Sequence, residues 1–225
     1  MNLTYYGHSC FGVEVNGKYL LFDPFISQNP LAKNIEIEKI PADYILISHA
    51  HGDHVFDVET IASRTNAKII SNYEIVSYYE KKGLKGHGMN FGGIWQFDFG
   101  KVTYVLAVHS SQFPDGAFGG NPGGFIVESN EGNFYFAGDT ALTMDMKLIG
   151  IRYKLDFALL PIGSNFTMDY FDAATCAEFI GCDKIIGIHY DTFPPIKIDH
   201  QKAIDEFGRN GKELLLMKIG ETIAM

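Results

Sequence analysis

The stretch that most constrains this chain is Ile45-Leu46-Ile47-Ser48-His49-Ala50-His51-Gly52-Asp53-His54, an apolar run that breaks into three histidines and a carboxylate. Three large aliphatic residues in succession have the pattern of a strand covered on both faces, as in a layered α/β fold. His49 and His51 are two apart, so in an extended or tightly turned segment both imidazoles point the same way, while Asp53 and His54 fall on the following turn. One loop thus offers two pairs of metal ligands. A lone histidine is most often a structural or surface residue, but four ligand-type side chains within six positions behind an apolar strand form a metal-site pattern. Imidazole and carboxylate without thiolate suit zinc, manganese or iron, and two such ions can share one hydroxide as nucleophile.

The same punctuation recurs along the chain. Apolar strands are predicted over residues 102–108, 133–137 and 184–188, and they run into His109, Gly138-Asp139-Thr140 and His189-Tyr190-Asp191. His49, His109, Asp139 and His189 therefore each follow an apolar strand by one or two residues. Strands of a layered sheet that end along one edge let ligands from their loops converge, so the spacing predicts one dinuclear site.

Elsewhere, residues 3–6, 11–15 and 19–22 read as an antiparallel meander with Asn16-Gly17 as its hairpin turn. Gly7-His8-Ser9-Cys10 separates the first two strands, and proline stops the third in Asp23-Pro24-Phe25. Helices are predicted over 55–64, 73–82, 169–180 and 199–207, with further strands over 68–71, 95–99, 124–128, 156–160 and 213–218. Gly86, Gly88, Gly92 and Gly93 predict a loop around His87, and both His87 and His200 are expected at the surface. The segment 112–124, rich in Gly, Pro and Phe, is a candidate wall or lid for a pocket. Thr140, Asn165, Asp169, Tyr190 and Asp191 are candidate pocket groups that turn or cap chemistry also explains.

At 225 residues the chain fits one domain, residues 1–225, with room for a sizeable core. A net charge of −9 without any Lys/Arg run argues against a nucleic-acid partner. No long apolar span and no basic leader are present, so cytoplasmic residence without a membrane partner is expected. Cys10, Cys176 and Cys182 are odd in number and lack C-x-x-C spacing, which predicts no disulfide framework and a buried apolar role for Cys10.

Ser48-His49-Ala50-His51-Gly52-Asp53-His54, followed in order by His109, Gly138-Asp139-Thr140 and His189, resembles the metallo-β-lactamase superfamily across essentially the whole chain. Within it the chain looks like the small prokaryotic metal-dependent hydrolases related to L-ascorbate-6-phosphate lactonase, whose amino terminus is similar to Gly7-His8-Ser9-Cys10-Phe11. The resemblance implies a four-layer αββα sandwich, two mixed β-sheets flanked by helices. Carried over by position, it implies that His49, His51 and His109 hold one divalent ion, that Asp53, His54 and His189 hold a second, and that Asp139 bridges them. Two divalent metal ions are expected, zinc ahead of manganese or iron. Their shared hydroxide would attack a small ester, lactone or phosphorylated substrate. Asp53 would also orient the nucleophile, and His8 is the candidate proton donor to the leaving group, weighed against a structural role behind the ligands.

The alternative is a phosphodiesterase or nuclease of the same superfamily, disfavoured by the acidic balance and by the lack of an insertion that would form an RNA-binding arm. A flavodiiron-type redox protein resembles H-x-E-x-D-H in its first motif, whereas position 51 here is His. A non-catalytic metal-binding module would have little reason to keep every ligand position, and a β-lactam substrate is not assigned by fold membership. The aromatic loops suit either a pocket or the interface of a homo-oligomer.

Overall fold

Burial alternates along the first strands and sets the architecture of the computed structural model, which describes residues 1–225. In β1 (Asn2–Gly7) and β2 (Cys10–Val15), Leu3, Tyr5, Phe11, Val13 and Val15 turn into one core. The turn Asn16-Gly17 holds φ of 50° and 70° and feeds β3 (Lys18–Phe22). After β4 (Tyr44–Leu46) come α1 (Gly52–Val55) and α2 (Val58–Thr65), then β5 (Lys68–Asn72), α3 (Tyr73–Glu80) and β6 (Gly86–Met89). The strands β3, β4, β5 and β6 pair in parallel, as crossovers through helices require.

The second half opens antiparallel with β7 (Ile94–Gln96), β8 (Lys101–Leu106), β9 (Gly123–Ser129) and β10 (Gly132–Phe136). It continues in parallel through α4 (Met146–Arg152), β11 (Phe157–Pro161), α5 (Tyr170–Phe179), β12 (Lys184–Ile188), α6 (His200–Arg209) and β13 (Glu213–Leu215). A final strand, β14 (Thr222–Ala224), returns to pair antiparallel with β1. Two seven-stranded mixed sheets result, ordered β14-β1-β2-β3-β4-β5-β6 and β13-β12-β11-β10-β9-β8-β7.

Three apolar cores hold four layers together. Between the sheets, Phe11 and Phe22 stack at 4.4 Å and Phe22 meets the edges of Phe134 and Phe136. A second core lies between the second sheet and α4, α5 and α6, and a third between the first sheet and α2 and α3. This is the αββα sandwich that the resemblance implies. No helix is long and apolar enough to cross a membrane. All three cysteines are free and buried, and burial pushes the Cys10 thiol well above its usual range.

Local readings differ in several places, among them the strands expected over 95–99 and 213–218, which end at Gln96 and Leu215. The helix expected over 55–64 starts at Gly52 and breaks at Asp57, whose carboxylate accepts the N–H groups of Ile26 and Ser27 at 2.6 and 2.9 Å. The glycine loop around His87 begins as the strand β6. Its glycines lie where α3 crosses, because a Cβ at Gly86 or Gly88 would press on Val76 or Tyr73. His87 is half-buried there, its ring 4.8 Å from that of Trp95. The last helix runs through Gly208 to Arg209, and α4 and β14 lack a readable periodicity.

Candidate metal centre

The C-terminal ends of β1, β4, β8, β10 and β12 carry the polar residues that the sequence singles out. His49 and His109 lie three residues beyond β4 and β8, Asp139 lies three beyond β10, and His189 follows β12 directly. The chain turns into α1 at His51, so Asp53 and His54 sit in that helix's first turn.

Two groups of donors form. The rings of His49, His51 and His109 are a near-orthogonal trio, with centroids 4.6, 5.0 and 5.1 Å apart and planes crossing at 79°, 85° and 74°. His49 Nε2 and His51 Nδ1 converge to 3.0 Å, and the outer His51 Nε2 meets Ser110 Oγ at 3.2 Å. The second group is Asp53, His54, His189 and His8. Asp53 Oδ2 lies 3.1 Å from His8 Nε2 and 3.9 Å from the Nε2 of both His54 and His189. Asp139 stands between the groups. Its Oδ2 is 3.0, 3.4, 3.6 and 3.9 Å from the Nε2 of His189, His54, His109 and His49.

Asp23 directs the imidazoles, and the sequence reading did not single it out. It is fully buried and accepts the Ser48 N–H at 2.7 Å, the Ser48 hydroxyl at 2.5 Å and His54 Nδ1–H at 2.7 Å. Ser48 Oγ in turn accepts from His49 Nδ1 at 2.9 Å. With both Nδ1 positions committed, the Nε2 atoms of His49 and His54 face the centre, the arrangement that ligating histidines need. The signal was present: Tyr19-Leu20-Leu21-Phe22-Asp23 repeats the strand-then-carboxylate pattern that singled out Asp139. Thr192 was also missed; its Oγ1 lies 2.9 Å from His8 Nδ1.

Electrostatics within the cluster are mutual. Burial alone would raise the Asp139 and Asp53 carboxyls, but His189 and His54 hold Asp139 well below the usual range, and His54 with His8 does the same for Asp53. Burial would lower His54, yet Asp139, Asp53 and Asp23 raise it well above 6.5. Burial, then repulsion from other histidines, lowers His49 and His51, and burial lowers His109 against the pull of Asp139. His8 falls to about 4 through burial and the neighbouring His189.

The donors fit divalent cations on grounds of satisfaction. Asp139 Oδ1 and His54 Nε2 are buried without a hydrogen-bond partner; the 3.4 Å approach of His54 to Asp139 lacks hydrogen-bond geometry. An acceptor and an imidazole nitrogen left so are costly in a protein interior, and a cation satisfies both. Four residues around the centre, His8, Asp23, His189 and Asp191, hold φ between 40° and 62°, a left-handed conformation that few non-glycine residues adopt, Asn, Asp and His most readily among them.

The remaining candidates have structural places. Thr140 Oγ1 accepts the Val108 N–H at 3.0 Å, tying the loop of His109 to that of Asp139. Asp169 caps α5 through the N–H groups of Phe171 and Asp172, both at 2.9 Å. Asn165 is exposed and Tyr190 buried. Asp191 accepts from Ile198 N–H and meets the exposed His200 at 2.6 Å. The segment 112–124 is pinned as a wall: Phe113 stacks on Tyr78 at 3.7 Å, and the Asn72 amide donates to the carbonyls of Gly119 and Asn121.

Residues 2–189 match the family model described as the beta-lactamase superfamily domain. A metal-dependent hydrolase of the UPF0173 family from Flavobacterium johnsoniae is 60% identical over 225 residues, covering all of both chains. The chain belongs to that family. A second relative of the same name, from Methylacidiphilum infernorum, is 50% identical over 226 residues and again covers both chains fully. Among solved structures, a metallo hydrolase from the archaeon Ignicoccus hospitalis superposes with a TM-score of 0.90 at 37% identity, covering 99% of this chain and 97% of its own. An isothiocyanate hydrolase from Delia radicum gut bacteria shares the fold at a TM-score of 0.82 and 17% identity, covering 100% and 99%. The protein is thus a metal-dependent hydrolase of the metallo-β-lactamase superfamily, with a His/Asp cluster able to bind metal.

Proposed function

We propose that this hydrolase cleaves a small ester, lactone or phosphorylated molecule at a dinuclear centre. The observation that carries the reading is the position of Asp139, whose Oδ2 faces imidazoles of both donor groups while Oδ1 is buried and unpartnered. In this reading His49, His51 and His109 hold one ion, Asp53, His54 and His189 hold the other, and Asp139 contacts both. Zinc suits the nitrogen-rich set first, with manganese or iron accepted by the same ligands. Bound ions supply an activated water and Lewis-acid polarisation of the scissile oxygen. Asp53 orients the attacking water from the second group. His8, neutral at pH 7 because of its burial, holds its Nε2 3.1 Å from Asp53 and its Nδ1 2.9 Å from the Thr192 hydroxyl, which steadies that carboxylate. We place this positioning role ahead of proton donation to the leaving group.

The partner is a small molecule, handled within one domain. Elemental analysis of purified protein beside a His49→Ala, Asp139→Ala double variant tests the site: about two ions per parent chain and a large loss in the variant are expected. No metal in the parent after reconstitution with zinc or manganese would end the dinuclear reading. RNA and model phosphodiesters, assayed beside esters and lactones, test the nuclease alternative; efficient RNA cleavage would replace the small-molecule reading.

A further inference from the structure

The segments that follow β1, β3, β4, β8, β10, β11 and β12 frame the centre and supply every donor in it. Their stretches nearest the donors in sequence are residues 7–9, 23–31, 48–58, 107–122, 137–145, 162–170 and 189–196. None of the chain's 18 Lys and Arg residues falls within these stretches, which hold eight aspartates, and the lysines farther along the segments after β3 and β12, Lys33, Lys39 and Lys197, are exposed. The starts of α3 and α5 are already occupied by their own side-chain caps. Asp169 occupies the first N–H groups of α5, and Asn72 accepts from Ile75 N–H at the start of α3. A phosphate or carboxylate handle held away from the metals is gripped best by a guanidinium or an ammonium, and the stretches beside the donors provide neither.

What the frame provides is aromatic surface. Phe193 lies 5.5 Å from the His8 ring and 6.2 Å from Phe25, beside the second donor group. Beside the first group, Phe118 is 68% exposed, and the next residue, Gly119, sits so close to Ala50 that a Cβ would collide with it. Ala50 is the residue between His49 and His51. Phe166 is exposed on the segment whose Met168 N–H donates to Thr140 O, next to Asp139. Exposed aromatic rings spaced around a polar centre gain most by covering an apolar ligand surface.

We infer that the substrate presents an uncharged, apolar arm to the protein, so that its one strongly polar group is the ester or lactone at the donor cluster. The inference rests on the hydrolase reading above and removes the phosphorylated branch of it.

Calorimetric titration of the metal-loaded protein with two six-membered lactams, uncleaved stand-ins for lactones, tests the arm directly. One lactam carries a phenylethyl arm and the other a phosphomethyl arm. The phenylethyl lactam should bind at least about tenfold tighter, the gain expected for burying a phenyl ring against aromatic surface. Phe193→Ala and Phe118→Ala should each weaken it by about three- to tenfold without changing the metal content or the affinity for the phosphomethyl lactam. A phosphomethyl lactam that binds as well or better overturns the inference, as does a phenylethyl lactam that fails to bind or ignores both substitutions. Turnover of the matching lactones separates the two levels. Equal hydrolysis of both arms keeps the hydrolase and overturns the apolar arm; arm-dependent binding without hydrolysis of any lactone or ester keeps the arm and ends the hydrolase reading.

Discussion

The two edges of the sandwich are made by the same strands and differ in almost every chemical respect. Where β3, β5, β8 and β12 begin, the first residue of each is a lysine, Lys18, Lys68, Lys101 and Lys184. Charge there stays near water in pairs such as Lys101 with Glu128 at 2.7 Å and Lys18 with Asp98 at 3.4 Å, each contributing about 0–1 kcal/mol. The two non-glycine residues at positive φ on that edge are Asn16 and Asn66, a residue type that tolerates it. Where the strands end, positive φ falls on His8, Asp23, Ser164, Asn165, His189 and Asp191, and imidazoles and carboxylates are buried against one another. Strained backbone costs on the order of 1–3 kcal/mol per residue, so this edge persists because the packed cores around it over-determine it.

The largest effect should come from the residue that joins the two donor groups. Asp139→Ala is expected to strip metal and reduce hydrolysis by about three orders of magnitude, while Lys101→Ala leaves both unchanged; metal analysis and kcat/KM report the contrast. Equal retention of metal and rate by both variants would erase the distinction between the edges.

Glycine substitutions sharpen it next. At Gly163 an added Cβ would collide with the carbonyl of His189 and crowd Ile196, so Gly163→Ala should lose about 3 kcal/mol in urea unfolding. At Gly181, on the lysine edge, φ is +63° but the space is open, and the same change should cost only about 1 kcal/mol. Asp23→Asn keeps the shape but replaces the carboxylate that orients His54 and Ser48. Metal affinity should fall about 10- to 100-fold in a chelator competition, and an unchanged affinity would deny Asp23 its orienting role.

Acid should loosen the histidine edge of the demetallated protein first. His8 has a folded pKa of about 4 against an ordinary 6.5, so its contribution is present above pH 6.5 and is lost as pH falls from 6.5 toward 4. His49, His51 and His109 are lowered and act in the same direction. His54 is raised and acts oppositely, its stabilisation being complete below 6.5 and lost as pH rises through its raised value. The four lowered groups dominate, so the melting temperature should drop between pH 7 and 5.5. His8→Gln should remove about 1 kcal/mol of that dependence, and an equally steep profile in the variant would contradict the assignment. The smallest effect is expected at the opposite edge, where Lys101→Ala should shift stability by less than about 1 kcal/mol at any of these pH values.

The sequence by itself determined the sheet-and-helix order of most of the chain and the positions of the ligand-type residues. Both depend on local spacing: aliphatic runs make buried strands, and a histidine or aspartate just beyond such a run sits at a sheet edge wherever the strand lies. Asp169 as a helix cap was readable for the same reason, since its bonds reach only two and three residues ahead. Tertiary structure alone decided which edge residues meet. His8 reaches Asp53 across 45 positions and Thr192 across 184, and Asp23 joins His54 and Ser48 across 31 and 25. The strand β6, written Gly-His-Gly-Met, exists because α3 leaves room only for glycine, and β14 exists because β1 offers it an edge. Local pattern encodes which way a side chain points, but its partner is set by how sheets and helices pack, and burial, hydrogen bonding and charge at the site all follow from that packing.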